Sequence, residues 1–250
     1  MGAADRGPWR RVAATAVLSG LIIGALWAVT VSPLFRLEAL AISGQSHLSS
    51  ERVAKLAQVH EGTTNVLWLS AGRVVERLEA DPWVASATAD KELPSGLTIS
   101  VTERIPVLTA GQRGAWSLIA RDGVVVDVVK ADPGLPATTG VTGIAPGGRV
   151  GADPADAAEA AGFLAAAGAL DRVETITTDR EGGMRIVLTD GGKVTVGPPE
   201  DLREKMEAVA GIVGWAEERG SKIRTIDVTA PGAPAAKVTK GSPPLGEEPA

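Results

Sequence analysis

The chain has 250 residues, 44% hydrophobic and 22% charged, a globular rather than a disordered balance with room for one or two domains. A formal net charge of −5 leaves no basic footprint for nucleic acid. With no cysteine, disulfides, thiolate metal sites and cysteine nucleophiles are excluded together, and a histidine-based zinc site or triad would have to use His47 and His60.

The first predicted element is Val12–Val31, VAATAVLSGLIIGALWAVTV, a run of 20 residues without a charge. At about 1.5 Å per residue a helix of that length spans a hydrocarbon core of roughly 30 Å. Arg6, Arg10 and Arg11 stand just before it. Positive charge stays on the cytoplasmic side, so residues 1–11 are expected inside and everything after the span outside, as in a single-pass type II protein in the lipid bilayer. A cleaved signal peptide is the rival reading. Its apolar region is roughly 7–15 residues, shorter than this run, and AVTVSP is a poor cleavage site. Ala16, Gly20, Gly24 and Ala28 recur every four residues, and the GxxxG at Gly20 and Gly24 is a candidate contact for another membrane helix. Small residues are also simply common in such helices.

Beyond Ser32-Pro33, FRLEALAIS alternates as a strand and Gly44 ends it. Ser49 can cap a helix that buries Val53, Leu56 and Ala57, with Glu51 in its first turn and Gly62 after it. Ser70 can cap a second, carrying Val74, Val75 and Leu78, which Asp81-Pro82 stops. Trp83 then leads a strand to about Asp90, LPSG turns the chain, and Leu97, Ile99 and Val101 alternate with Thr98, Ser100 and Thr102. The order β-α-α-β-β lets two helices cover one face of a three-stranded sheet, a small α+β domain with its own core. The predicted core includes Leu56, Leu78, Trp83, Leu97 and Ile99.

This order resembles a POTRA domain, a small module that binds other polypeptides. One POTRA directly after one membrane helix resembles the FtsQ/DivIB family of bacterial cell-division proteins. FRLEALAISGQSHLSSERV resembles the family's opening strand, glycine turn and helix start. DPWVASATADKELPSGLTISVTERIPV resembles its Trp-Val strand, Pro turn and Glu-Arg-x-Pro-Val exit, here Glu103 to Val107. WSLIARDGVVV resembles the strand and Asp-Gly turn that follow. Lys91-Glu92-Leu93 departs from the pattern, where the family more often has a basic-aromatic-Pro run. The resemblance covers Ser32 to about Val228.

The second half reads as a mixed β-rich domain on its own residues. Asp122-Gly123 between WSLIA and VVVDVV is a hairpin signal. TTDREGGMRIVLTDGGKVTV reads as three strands around Gly182-Gly183 and Asp190-Gly191-Gly192. One helix is predicted from Asp153-Pro154, with Ala160, Phe163, Leu164 and Ala167 on its buried face. Another starts near Pro199-Glu200-Asp201, places Leu202, Met206, Val209 and Ile212 on one face, and ends at Gly220. IRTIDVT is expected to be the last strand. The predicted organisation is thus a tail at 1–11, a transmembrane helix at 12–31, a POTRA domain at 32–104, a β-domain at 105–230 and a disordered tail at 231–250, rich in Pro, Ala and Gly.

Nothing in the chain assembles into a catalytic set, so no enzyme, cofactor or metal site is expected. His47 and His60 are too far apart for an i, i+4 metal pair, and there is no HExxH. GIAPGGRVG, Gly143 to Gly151, lacks the Gly-Lys-Ser/Thr end of a phosphate loop and reads as a connector. Asp122 and Asp127 as paired acids of a glycosidase lack an aromatic sugar platform, and Asp122 already has a turn role. Trp83 and Trp116 read as core or semi-buried. Glu103, Arg104 and Pro106 are expected to orient the junction between the domains.

A module without catalytic groups can still bind through an unpaired sheet edge. The reading that follows is a scaffold. The FtsQ/DivIB resemblance implies recruitment to the division septum and binding of an FtsB/FtsL pair by strand addition at the C-terminal end of the β-domain. Other membrane proteins of the division machinery could meet the transmembrane helix or the POTRA domain. Thr225, Ile226, Asp227, Val228 and Thr229 are the expected partner-binding strand, because no later strand is expected to cover that edge unless the tail folds back. Its rival is that this segment is an inner strand that Pro231 merely ends. At the level of function the rivals are a membrane-anchored cell-wall hydrolase or carbohydrate-binding protein, and a POTRA-bearing secretion component.

Overall fold

The computed structural model describes residues 9–240 except 113 and 180; the side chains of residues 9, 10, 11, 14, 112 and 240 are also outside the description. The tail at 1–8, with Arg6, and residues 241–250 lie outside the described residues, as do the side chains of Arg10 and Arg11. The chain divides into two compact units, Met1–Glu103 and Arg104–Ala250. Among the described residues the fold is mixed α+β, with five α-helices in all and one sheet in each unit.

Helix α1 covers Trp9–Thr30, 22 residues. Its apolar side chains stand open, Leu21 and Ile23 among them at 67% and 66% exposure. Among the described residues no helix is long and apolar enough to cross a membrane.

After a short turn at Pro33–Phe35, the first unit builds β1 (Ala39–Ser43), α2 (Ser50–Ala57), α3 (Ala71–Glu79), β2 (Val84–Glu92) and β3 (Gly96–Glu103). The sheet order is β1-β3-β2, with β1 parallel and β2 antiparallel to the central β3. Both helices start on serine caps, Ser49 Oγ accepting from the Arg52 N–H and Ser70 Oγ from the Arg73 N–H. One face of the sheet meets them through Leu97, Ile99 and Val101, packed with Leu37, Val53, Val74, Leu78 and Val84. Leu56 and Trp83, predicted for this core, are only partly buried against it. Gly44 cannot be another residue: its φ is +82°, and a Cβ there would stand 2.1 Å from the Val101 carbonyl oxygen.

In the second unit β4 (Pro106–Gln112), β5 (Ala115–Ala120) and β6 (Val125–Val129) form a meander, followed by the two-residue β7 (Ala137–Thr138). Then come α4 (Ala152–Ala166), β8 (Val173–Thr178), β9 (Met184–Leu188), β10 (Lys193–Gly197), α5 (Leu202–Glu218), β11 (Ser221–Asp227) and β12 (Ala235–Lys240). The nine strands run β12-β11-β10-β9-β8-β7-β4-β5-β6. The two helices pack with this sheet around one core that includes Leu108, Ile119, Leu164, Ile176, Ile186, Met206 and Ile226. Helix α4 begins two residues earlier than expected, with Gly151 rather than Asp153 at the cap position.

One expectation is overturned. Part of the tail expected to be disordered from 231 is a strand: β12 pairs antiparallel with β11, Thr225 opposite Lys237, Ile226 opposite Ala236 and Asp227 opposite Ala235. The turn Pro231-Gly232 reverses the chain, and backbone pairing with one side-chain bond, the Thr239 hydroxyl donating to the Lys222 carbonyl at 3.5 Å, holds the strand, so no side-chain periodicity announces it.

Candidate partner-binding edge

β11 lies between β10, to which it is parallel (Lys193 opposite Thr225), and β12. Its apolar side chains Ile223 and Ile226 turn into the core, and Val228, just past the strand, is fully buried. The Val228 N–H donates to the Thr195 carbonyl at 2.9 Å. Asp227 closes the strand end, its Oδ1 accepting from the Thr229 N–H at 3.0 Å and the Thr229 hydroxyl at 2.7 Å. Those two bonds hold the Asp227 carboxyl below its usual range. Thr225, Ile226 and Asp227 therefore lie in an inner strand, with Val228 and Thr229 just beyond it. The expectation that this segment is itself the open edge is corrected, because β12 occupies that edge.

The open edge beside β11 is β12. Ala235 to Thr239 are exposed along their length, on both faces of the strand. Val238 is its one large apolar side chain, 37% exposed. The strand is short, follows Pro234 and carries Lys237, features that discourage indiscriminate pairing. At the far side of the sheet β6 is partly covered. The Val125 N–H donates to the Gly148 carbonyl and the Val125 carbonyl accepts from the Gly147 N–H. The glycine-rich segment 143–151 is thus a connector laid on the β5–β6 hairpin, with the Arg149 guanidinium donating to the Asp122 carbonyl at 2.8 Å. The β2 edge in the first unit is blunted where the Ala87 N–H donates to Glu79 Oε1 at 3.1 Å.

Glu103 and Arg104 are anchored into different units. Glu103 Oε2 accepts from the Ser46 hydroxyl (3.0 Å) and the His47 N–H (2.7 Å), and Oε1 from the Leu48 N–H (2.8 Å). Burial pushes its pKa up, but these backbone and side-chain donors outweigh it and leave the carboxyl below its ordinary value. Arg104 Nε donates to Asp122 Oδ2 at 2.9 Å. Pro106 opens β4 opposite Ala120. Gly20 and Gly24 lie on α1, and a Cβ at either would meet nothing within 4 Å. His47 stacks on Trp83 with ring centroids 3.6 Å apart, while His60 spends its backbone N–H on Thr64. Among the described residues there is no cluster of three acidic or histidine side chains able to hold a metal.

Residues 35–104 match the family profile described as POTRA domain, FtsQ-type, and residues 107–228 match that described as Cell division protein FtsQ/DivIB, C-terminal. The chain belongs to the FtsQ/DivIB family of cell-division proteins. Among curated relatives it is 30% identical over 239 residues to a cell division protein FtsQ of Streptomyces collinus, covering 90% of this chain and 88% of that one. It is 29% identical over 225 residues to the FtsQ of Mycobacterium leprae, covering 90% of this chain but only 62% of that protein's length. The FtsQ of Mycobacterium tuberculosis H37Rv matches at 28% over 225 residues, 90% of this chain and 68% of that one. A solved extracytoplasmic domain of DivIB from Geobacillus stearothermophilus, in its trans isomer, overlays at a TM-score of 0.31 and 14% identity, over 47% of this chain and 97% of that one. That likeness is too loose to bear on the fold.

Sequence reasoning missed β12 and Asn65. The only signals for β12 were the Pro-Gly turn and the Val-Thr pair at 238–239. Asn65 joins helix α1 to the first unit, its Nδ2 donating to the Thr30 carbonyl at 2.8 Å, a long-range contact that no local pattern encodes.

Proposed function

We propose that this family member is a division scaffold, not a catalyst, and that it captures an FtsB/FtsL-type pair by strand addition on the outer edge of β12. The observation that carries the reading is the sheet order, which leaves β12 as the terminal strand with both faces exposed. Thr225 to Asp227 act one strand inward, as part of the template that holds β12 in place, with Val228 and Thr229 closing that strand's end. Each backbone hydrogen bond added by a partner contributes about 0.5–1.5 kcal/mol net, so side chains around Val238 and Lys237 must supply the remaining affinity and the choice of partner. Val12–Val31 is proposed to anchor the chain in the cell membrane at the septum, N-terminus cytoplasmic, with Gly20 and Gly24 open to a neighbouring helix. The Glu103-Arg104 pair, each member bonded into its own unit, and Pro106 are proposed to set the junction.

A proline scan of the full chain tests the edge. Along Ala235 to Thr239, N–H groups point alternately to β11 and outward. Proline at outward positions should abolish capture of the partner pair while amide protection in β11 stays intact; proline at inward positions should loosen β12 as well. Undiminished capture after deleting 235–240 would refute the assignment. A fluorescent fusion spread evenly around dividing cells would count against septal recruitment.

A further inference from the structure

Outside α1, the exposed large apolar side chains of the first unit are Val31, Leu34, Trp68 and Leu93 (47%, 59%, 65% and 57% exposed). They come from three separate stretches of chain, and all three converge where α1 enters the domain. Asn65 is the pin. Its Nδ2 donates to the Thr30 carbonyl at 2.8 Å, and its Oδ1 accepts from the Leu67 and Trp68 N–H groups at 3.0 and 3.3 Å. The Val66 N–H donates to the Phe35 carbonyl at 2.8 Å, which ties the Trp68 loop to the turn carrying Leu34. Lys91 Nζ donates to the Leu67 and Leu69 carbonyls at 3.2 and 3.1 Å, which ties the end of β2, two residues before Leu93, to the same loop. The Ser95 carbonyl accepts from the Glu38 N–H at 2.9 Å. The opposite end of the sheet, at Gly44, His47 and Glu51, exposes no large apolar side chain.

An apolar group gathered on one end of a small domain calls for a cover. Chain connectivity names it, because the patch surrounds the C-terminal end of the proposed membrane helix. We infer that Leu34, Trp68 and Leu93 seat the first unit on the outer-leaflet boundary between lipid headgroups and acyl chains. Tryptophan suits that depth, where its ring is apolar and its N–H remains wet. Charge does not drive the contact: Arg36 and Lys91 are matched on the same segments by Glu38 and Glu92. Seating should therefore depend little on the anionic lipid fraction. The consequence is a domain held at a fixed attitude to the bilayer rather than swinging on its helix. This inference rests on the membrane reading of α1, and its test separates the two.

The absence of native cysteine allows single-cysteine labelling of the full chain. Ile22→Cys, Leu34→Cys, Leu93→Cys and Glu51→Cys, each carrying an environment-sensitive fluorophore, are placed in lipid nanodiscs with nitroxide lipids quenching at shallow or deep positions. The deep quencher should reach Ile22, the shallow one Leu34 and Leu93, and neither Glu51. Leu93 is the deciding site, because it is far from the helix in sequence. Trp68→Ser should lower shallow quenching at Leu93. Ile22 quenched with Leu93 indistinguishable from Glu51 would overturn the seating while leaving the anchor intact. Ile22 unquenched would overturn both. Leu93 shielded from an aqueous quencher yet untouched by either lipid quencher would assign the patch to a second copy of the chain and also overturn the seating.

Discussion

Replacing Glu103 by Gln removes a latch inside the first unit. The carboxylate takes three donors, two on Oε2 and one on Oε1, from the consecutive residues Ser46, His47 and Leu48. Glutamine keeps a single acceptor oxygen: placed where Oε2 stands it still takes Ser46 and His47, now without charge assistance, while its NH2 group faces the Leu48 N–H, so one bond is lost and two are weakened. Bonds to a charged acceptor contribute about 1.5–3 kcal/mol each when shielded. Glu103 is only half-buried, and water screens and replaces part of that, so a total loss of about 1–2 kcal/mol is expected. That corresponds to roughly 5- to 30-fold more frequent opening. Amide hydrogen exchange on the full chain at neutral pH reads it directly, in the peptide containing His47 and Leu48. The pH dependence gives the sign. The folded carboxyl lies below its ordinary value of 4.5, so its stabilisation is complete above that pH and is lost as pH falls through the folded value. Protection of Ser46 to Leu48 in the parent chain should therefore weaken on acidification below about 4.5, whereas the Gln variant, already weakened, should lack that step. Equal exchange in the two chains at neutral pH, or the same acid step in both, would refute the latch.

Leu97→Ala should cost the first unit about 2–5 kcal/mol, because Leu97 is 1% exposed at the centre of its core; an unchanged unfolding midpoint for that unit would mean the register of β3 is wrong. Gly44→Ala should destabilise the same unit, since its positive φ and the Val101 carbonyl at 2.1 Å from an added Cβ leave no relaxed position, and a melting curve matching the parent would contradict the turn.

The legible parts of the fold are those that show water one face and the core the other. In β3, Leu97, Ile99 and Val101 are buried while Ser100 and Thr102 are exposed, and the sequence alternates accordingly. The serine caps of α2 and α3 were readable because a cap is a local contact between residues three apart. β4 was not read as a strand: Val107, Leu108, Thr109 and Ala110 are all buried, so alternation vanishes. β12 fails for the opposite reason, with both faces in water. Trp83, expected as core or semi-buried, is partly buried, its ring shared between the core and a stack on His47.

The candidate site shows where periodicity stops informing. Ile223, Ile226 and Val228 announce a strand with a buried face, and β11 is that strand. Periodicity reports faces, whereas binding by strand addition concerns edges, and an edge is fixed by which other segment pairs alongside. For β11 that segment is eight residues away across a Pro-Gly turn, and it adds backbone bonds while burying almost no apolar surface. Such a strand gains little from the hydrophobic effect that dominates the rest of the sheet. It is therefore the place where an incoming chain can extend the sheet without disturbing the core, which Val228, Ile226 and the β10 pairing secure one strand further in.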